Sequence, residues 1–195
     1  MRGAEQIPWL YDGFFFVSDR LGFARWRAWL TGGATGRVLE VGCGTGRNLP
    51  GYSKAGFLVA VDPHVHNLRA ARRRAPGVPL VRASAEHLPF RDEAFDTVVS
   101  SLVFCSVPDA GRGLGEVRRV LATEGRFRML EHVRATSRFH GAFQDLTQPV
   151  WTFITGGCHN NRHTEAAVEA AGFVIELATR RARGTMRRFV ARRRT

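Results

Sequence analysis

"RVLEVGCGTGRNLP", residues 37–50, sets three glycines into five positions directly behind a short apolar run. Val38, Leu39 and Val41 read as a buried strand. A loop of small residues behind a strand's end presents backbone N–H groups to whatever lies against it. The spacing is Gly42-x-Gly44-x-Gly46. A dinucleotide fingerprint, G-x-G-x-x-G/A, needs its third small residue at the position held here by Arg47. Glu40 discriminates further, because a carboxylate beside the loop repels a pyrophosphate and attracts a cation. Asp62 ends a second apolar run, "FLVAVD" (57–62), where an acid accepts hydrogen bonds from a ribose diol. An adenosine carrying a charged amino-acid arm in place of phosphates meets both conditions.

Outward from this loop the chain alternates. A helix is expected over 46–55, a strand at 57–62 and a helix over 64–75 with Arg69, Arg72 and Arg73 on its exposed face. Strands follow at "VPLVR" (78–82) and "FDTVVSS" (95–101), a helix at 110–122 and a strand at "GRFRMLEH" (125–132). Strands this apolar, alternating with helices, predict an α/β fold whose parallel sheet is covered on both faces. After His132 the rhythm changes. Residues 138–155 read as a helix interrupted at Pro149, "GGCHNN" as a loop and 163–171 as another helix. "FVIELATR" (173–180) and "TMRRFVARR" (185–193) are expected to close the sheet as an antiparallel pair. Residues 1–31 are rich in aromatics, from Trp9, Tyr11 and Phe14–Phe16 to Trp29, and Phe23, Trp26 and Leu30 share one helical face. That face suits packing on the core, a lid over a ligand or a membrane-touching patch.

At 195 residues, 44% of them hydrophobic, the composition fits one globular domain and excludes chain-wide disorder. The net charge of +12 is almost wholly arginine, since Lys54 is the only lysine. Residues 180–195 hold eight arginines and no acid, a stretch that could meet the phosphates of nucleic acid or an anionic membrane. A solvated tail and edge strand explains it equally well. Three cysteines without C-x-x-C spacing suggest neither a disulfide framework nor a zinc site, so no metal is expected. With no apolar run near the ~20 residues of a membrane span and no signal-peptide core at its start, the chain reads as soluble and cytoplasmic.

The stretches "VLEVGCGTGRN", "VAVDPH", "SAEHLPF", "FDTVVSSLVFCSVPD" and "EGRFRMLEH" together resemble class I S-adenosylmethionine-dependent methyltransferases. The resemblance covers roughly residues 35–178. It implies a Rossmann-like, mostly parallel sheet of seven strands with an antiparallel last strand; the residues before and after it read as a helical cap (1–31) and a basic strand and tail (179–195). It also implies S-adenosylmethionine as cofactor and S-adenosylhomocysteine as product. Gly42, Cys43 and Gly44, with Gly46 behind them, would line the methionine arm, and Asp62 with Pro63 the ribose. Ala85 and its neighbours would line the adenine, with Ser100 at the end of the fourth strand nearby. One position departs from the family pattern, because Ser84 stands where an acid often precedes the alanine. Glu86 is a substitute for it, unless backbone and stacking alone hold the base.

Methyl transfer from a sulfonium is an in-line displacement, so the protein must align a nucleophile, exclude water and remove a proton where needed. No N/D-P-P-Y/F follows the fourth strand and no Pro-Cys pair occupies its loop, which argues against base-amine, glutamine and covalent cytosine chemistry. Cys105 reads as a core thiol. "LEHV" with "QPVWTFITGGCHNNRHT" resembles the branch of small alkyl-thiol methyltransferases, with bacterial phosphatidylethanolamine N-methyltransferases as relatives. His132 or His159 could accept a thiol proton, since imidazole and thiol titrate within about 2 pH units of one another. For each, a hydrogen-bonded structural role stays open, and for Cys158 a packing role. The leading expectation is a methyltransferase acting on a small acceptor, a thiol, with no stable protein partner. Phospholipid N-methylation at a membrane and an RNA-associated role are the alternatives.

Overall fold

The structure, a computed structural model, describes residues 22–155 and 157–194. Expectations for Trp9, Tyr11 and Phe14–Phe16 lie outside the described residues. Helix α1 spans Ala24–Gly32, strand β1 Gly36–Val41, β2 Ala55–Val61, helix α2 Val65–Arg74 and β3 Leu80–Val81. Then come β4 (Phe95–Ser101), α3 (Ala110–Val120), β5 (Leu121–His132), α4 (Arg138–Thr155) and α5 (Thr164–Ala170). The chain closes with β6 (Phe173–Ile175), β7 (Arg181–Arg183) and β8 (Met186–Arg193). The strands lie side by side in the order β3-β2-β1-β4-β5-β8-β6, with β7 also paired to β8. Pairs from β3 through β5 are parallel, and every pair involving β8 is antiparallel.

Period-two alternation along the central strands divides the core. Leu39, Val41, Val98, Phe127 and Met129 join Leu114 and Val117 of α3 and Val168 of α5 in one cluster. Val38, Ala60, Val99 and Leu130 join Leu30 of α1 and Ala71 of α2 in another. The two clusters are the two covered faces of the sheet, as a parallel sheet requires.

Four expectations are corrected. The sheet has eight strands, because Arg181–Arg183 pairs with β8 beside β6. The helix over 46–55 is a single 3-10 turn at Leu49–Gly51, since Pro50 and Gly51 interrupt any longer run. Helix α4 runs through Pro149 without a break. The arginine-rich stretch is an edge only in part: β7 is exposed and pairs with β8 alone, but β8 lies between β5 and β6, and several of the stretch's arginines are engaged internally. Arg187 is buried, Arg188 lies over the rings of Trp26 (5.2 Å) and Trp29 (4.5 Å), and Arg193 pairs with Glu93 at 2.6 Å.

Arg128 of β5 fastens α1 to the sheet. Its Nε donates to Leu30 O (2.7 Å) and its guanidinium also donates to Trp29 O (2.6 Å), carbonyls that the helix itself leaves unpaired. The guanidinium lies 4.4 Å from the Trp29 ring centre. Arg128→Met keeps the stem and removes the donors, so it is expected to cost about 2 kcal/mol and lower the melting temperature by about 5 °C, read by circular dichroism. Arg128→Lys is expected to recover only part of the loss, lacking the planar fork.

Candidate functional site

The strand order changes direction between β1 and β4, and a cavity of about 360 Å³ opens beyond the carboxyl ends of the strands at that point. The loop after β1 contributes Gly42, Gly44 and Thr45, and the turn after β2 contributes Asp62, Pro63, His64 and Asn67. Ser84, Ala85 and Glu86 follow β3, Ser101 ends β4, and residues 102–103 and 106–108 follow it.

The three glycines do different jobs. All have left-handed backbones, with φ of +66, +53 and +79° for Gly42, Gly44 and Gly46. A Cβ on Gly42 would stand 2.5 Å from Val103, and one on Gly46 would stand 2.8 Å from the Ala71 backbone of α2. One on Gly44 would meet nothing, because Gly44 faces the cavity. Gly42 and Gly46 therefore serve packing, while Gly44 leaves space for a ligand to reach the main chain.

Asp62 holds this loop in place. Its carboxylate accepts from Gly44 N (2.9 Å), His64 N (2.9 Å) and Asn67 Nδ2 (3.2 Å). Burial raises its pKa against the opposing pull of those bonds. Glu86 closes another part of the wall, accepting from the Ser84 hydroxyl (3.0 Å) and Asp109 N (3.0 Å). A carboxylate thus stands two residues after position 84, bonded to the serine there. Leu102 has φ +58°, unusual for a branched side chain, and its N–H donates to Leu130 O at 2.8 Å.

The remaining expected cofactor residues do not line the cavity. Glu40 is buried behind the loop, its Oε1 accepting from Asn48 Nδ2 at 2.8 Å, and burial lifts its pKa to about 7. Cys43 is buried, and its thiol pKa is raised by burial. Ser100 is fully buried, its hydroxyl without a partner among the described residues.

Beyond β5 the chain brings together His132, Cys158 and Cys105. The Cys105 thiol, then His132, donates towards the Cys158 sulfur and holds it well below the ordinary thiol range despite burial, while the Cys105 thiol is pushed up. All three cysteines are free thiols. His159 is tied elsewhere: its Nδ1 lies 2.7 Å from Gly157 O and its N–H donates to Cys105 O at 2.7 Å. The sequence reading missed Glu131. This fully buried carboxylate accepts from Val103 N (3.0 Å), Phe104 N (2.8 Å) and His132 N (3.0 Å), with its pKa raised by burial to about 7. It registers the cavity wall after β4 against His132. An acid inside an apolar strand, as in "RMLEH", was the available signal.

No lysine or arginine is among the described residues lining the cavity, and its walls carry the carboxylates of Asp62 and Glu86. Those walls repel a polyphosphate and suit a nucleoside with a cationic arm, with Gly44 giving access to backbone. The residues present therefore fit S-adenosylmethionine. Among the described residues, no group of three or more His, Cys, Asp or Glu side chains could hold a metal ion.

Residues 39–129 match the family Methyltransf_11, a methyltransferase domain. The human thiol S-methyltransferase TMT1A is 35% identical over 144 residues, covering 70% of this chain and 59% of that protein. The phosphatidylethanolamine N-methyltransferase of Cereibacter sphaeroides is 37% identical over 103 residues, 50% of this chain and 51% of that one. The chain thus spans only about half to three-fifths of these relatives. In fold it is similar to the S-adenosylmethionine dependent methyltransferase from Mesorhizobium loti, with a TM-score of 0.66 at 21% identity over 82% of this chain and 92% of that one.

Glu40 and Glu131 give the fold a pH signature. Both carboxyls keep a proton in the folded chain up to about pH 7, against an ordinary value of 4.5. Folding therefore binds protons between those values, and stability falls as pH rises from 4.5 to about 7, then levels. Glu40→Gln is expected to flatten this slope by roughly half, since two similar groups share it. Melting temperatures across that range test this, and equal slopes in both proteins would contradict it.

Proposed function

We propose that the chain is a class I S-adenosylmethionine-dependent methyltransferase that transfers a methyl group to a small thiol, with His132 as the base that accepts the thiol's proton. The observation that carries this reading is the register Glu131 imposes. One carboxylate accepts from Val103 N at the cavity wall, from Phe104 N beside it and from His132 N, which ties the backbone of His132 to that wall and supports its choice as the base. The similarity to thiol S-methyltransferases supports the choice of acceptor.

Bound S-adenosylmethionine supplies an activated methyl group on a positively charged sulfur. The residues that would hold it are the backbone at Gly44, the carboxylates of Asp62 and Glu86 and the apolar walls at Ala85, Leu102 and Val107. The chain's own task is to present a thiolate. His132 takes the acceptor's proton, and the low-lying Cys158 thiolate beside it stabilises the imidazolium that results. Cys158 is in this account a positioning residue.

The test is S-adenosylhomocysteine release in the presence of alkyl thiols, phosphatidylethanolamine vesicles or RNA. Turnover with thiols alone is expected, and turnover with phosphatidylethanolamine alone would move the acceptor to phospholipid amines. His132→Asn is expected to lower kcat for thiols about 100-fold at neutral pH. Activity should return as pH approaches the thiol's own pKa near ~8.5, where thiolate forms without help. Unaltered turnover across pH would remove His132 from the mechanism.

A further inference from the structure

Helix α4 is amphipathic the wrong way round for a helix facing water. Apart from Trp151, its protein side is polar or small. Gly141 and Gln144 are its buried residues, and the Gln144 carboxamide accepts from Ala135 N (2.7 Å) and donates to Asn160 O (2.9 Å). Gln148 and Thr152 both donate to Cys158 O, each at 3.2 Å. The outer side carries Phe139, Phe143, Leu146, Val150, Phe153 and Ile154, exposed by 57 to 89%. Their spacing of four and three residues makes one continuous stripe along the helix. An ordinary surface helix turns such a stripe inward, and a contiguous apolar strip left outside marks an interaction surface.

At the N-terminal end of the same helix a second cavity, of about 550 Å³, is lined by Arg134, Arg138, Arg162 and Arg187 with the hydroxyl residues Ser137 and Thr164. The Arg187 side chain is only 4% exposed, and its guanidinium donates to Gly184 O (2.7 Å) and Met186 O (3.0 Å). Its nearest acid, Glu165, is 3.7 Å away and is already bonded to Arg180. Arg162 donates to the carbonyls of Phe104 (2.7 Å) and Val107 (2.5 Å), which leave its charge unneutralised. Arg134 is paired with Asp145. Four arginines against the single carboxylate of Glu165 leave the cavity lining with more cation than acid.

We propose that the outer face of α4 and this arginine-lined cavity together form a docking surface for an anionic phospholipid bilayer. The apolar stripe enters the acyl region and the arginines take a headgroup phosphate. A bilayer supplies an anion and hydrocarbon side by side, the two things this surface offers to meet; a nucleic acid has no hydrocarbon for the stripe, and a purely apolar partner offers no anion to the arginines. The chain's net charge of +12 acts in the same direction. This inference does not depend on which acceptor is methylated.

The test is co-sedimentation of the full chain with vesicles of phosphatidylcholine, with and without phosphatidylglycerol. Binding is expected to be stronger to the anionic vesicles and to weaken with added salt. Replacing Phe139, Phe143 and Leu146 together by Ser is expected to lower partitioning about 100-fold. Arg138→Ala should weaken binding to anionic vesicles about five-fold and leave phosphatidylcholine binding unchanged. Thermal unfolding and S-adenosylmethionine binding, unchanged in both variants, show that the fold survives. The proposal is overturned if neither vesicle binds at low salt, or if the triple variant binds as well as the parent. Dimerisation that the triple variant abolishes, without vesicle binding, would also overturn it by assigning the stripe to a second copy of the chain.

Discussion

The carboxylate of Asp62 is where the first half of the molecule is tied together. It sits at the end of β2, yet bonds Gly44 in the loop after β1, and His64 and Asn67 at the start of α2. Three donors on one buried anion offset much of its desolvation, and they fix a loop whose glycines could otherwise adopt many shapes. Gly46 completes the arrangement by letting α2 approach to a distance that any side chain would block. The cavity follows from these contacts, because its floor is the loop that Asp62 holds.

Glu131 does the corresponding work in the second half. It reaches from the end of β5 to the two N–H groups after β4, satisfying donors that would otherwise be buried without partners. Leu102, with its left-handed backbone, belongs to the same turn. Placed at the strand ends, Asp62 and Glu131 convert a covered parallel sheet into a rigid rim around one opening. The cost is visible in Glu40 and Glu131, whose burial makes them hold protons to about pH 7.

Much of this rim was legible in the sequence because local chemistry dictates it. A glycine triplet behind an apolar strand, an acid ending the next strand and a serine before alanine all carry their geometry with them. Phe95–Ser101 was read to the residue. The failures have equally local causes. The Pro50-Gly51 pair permits only a 3-10 turn, and Pro149 was given more weight as a breaker than α4 allows. Glu40 was read as facing a ligand, and the chain buries it against Asn48, a contact eight residues away that no pattern announces. Charge usually marks edges, and β7 is one, but tryptophans of α1 and acids of α5 and the β3–β4 loop take up several other arginines of the end. The outward stripe of α4 was hidden because a periodic pattern gives the existence of an apolar face and not its direction.

Calorimetric titration of the purified chain tests most directly whether the cavity takes an adenosine with a cationic arm. S-adenosylmethionine and S-adenosylhomocysteine are each predicted to bind at a single site, and NAD, with its pyrophosphate facing Asp62 and Glu86, is predicted not to bind. Saturable NAD binding with no heat from either sulfur compound would contradict the assignment of the glycine loop and of everything built upon it.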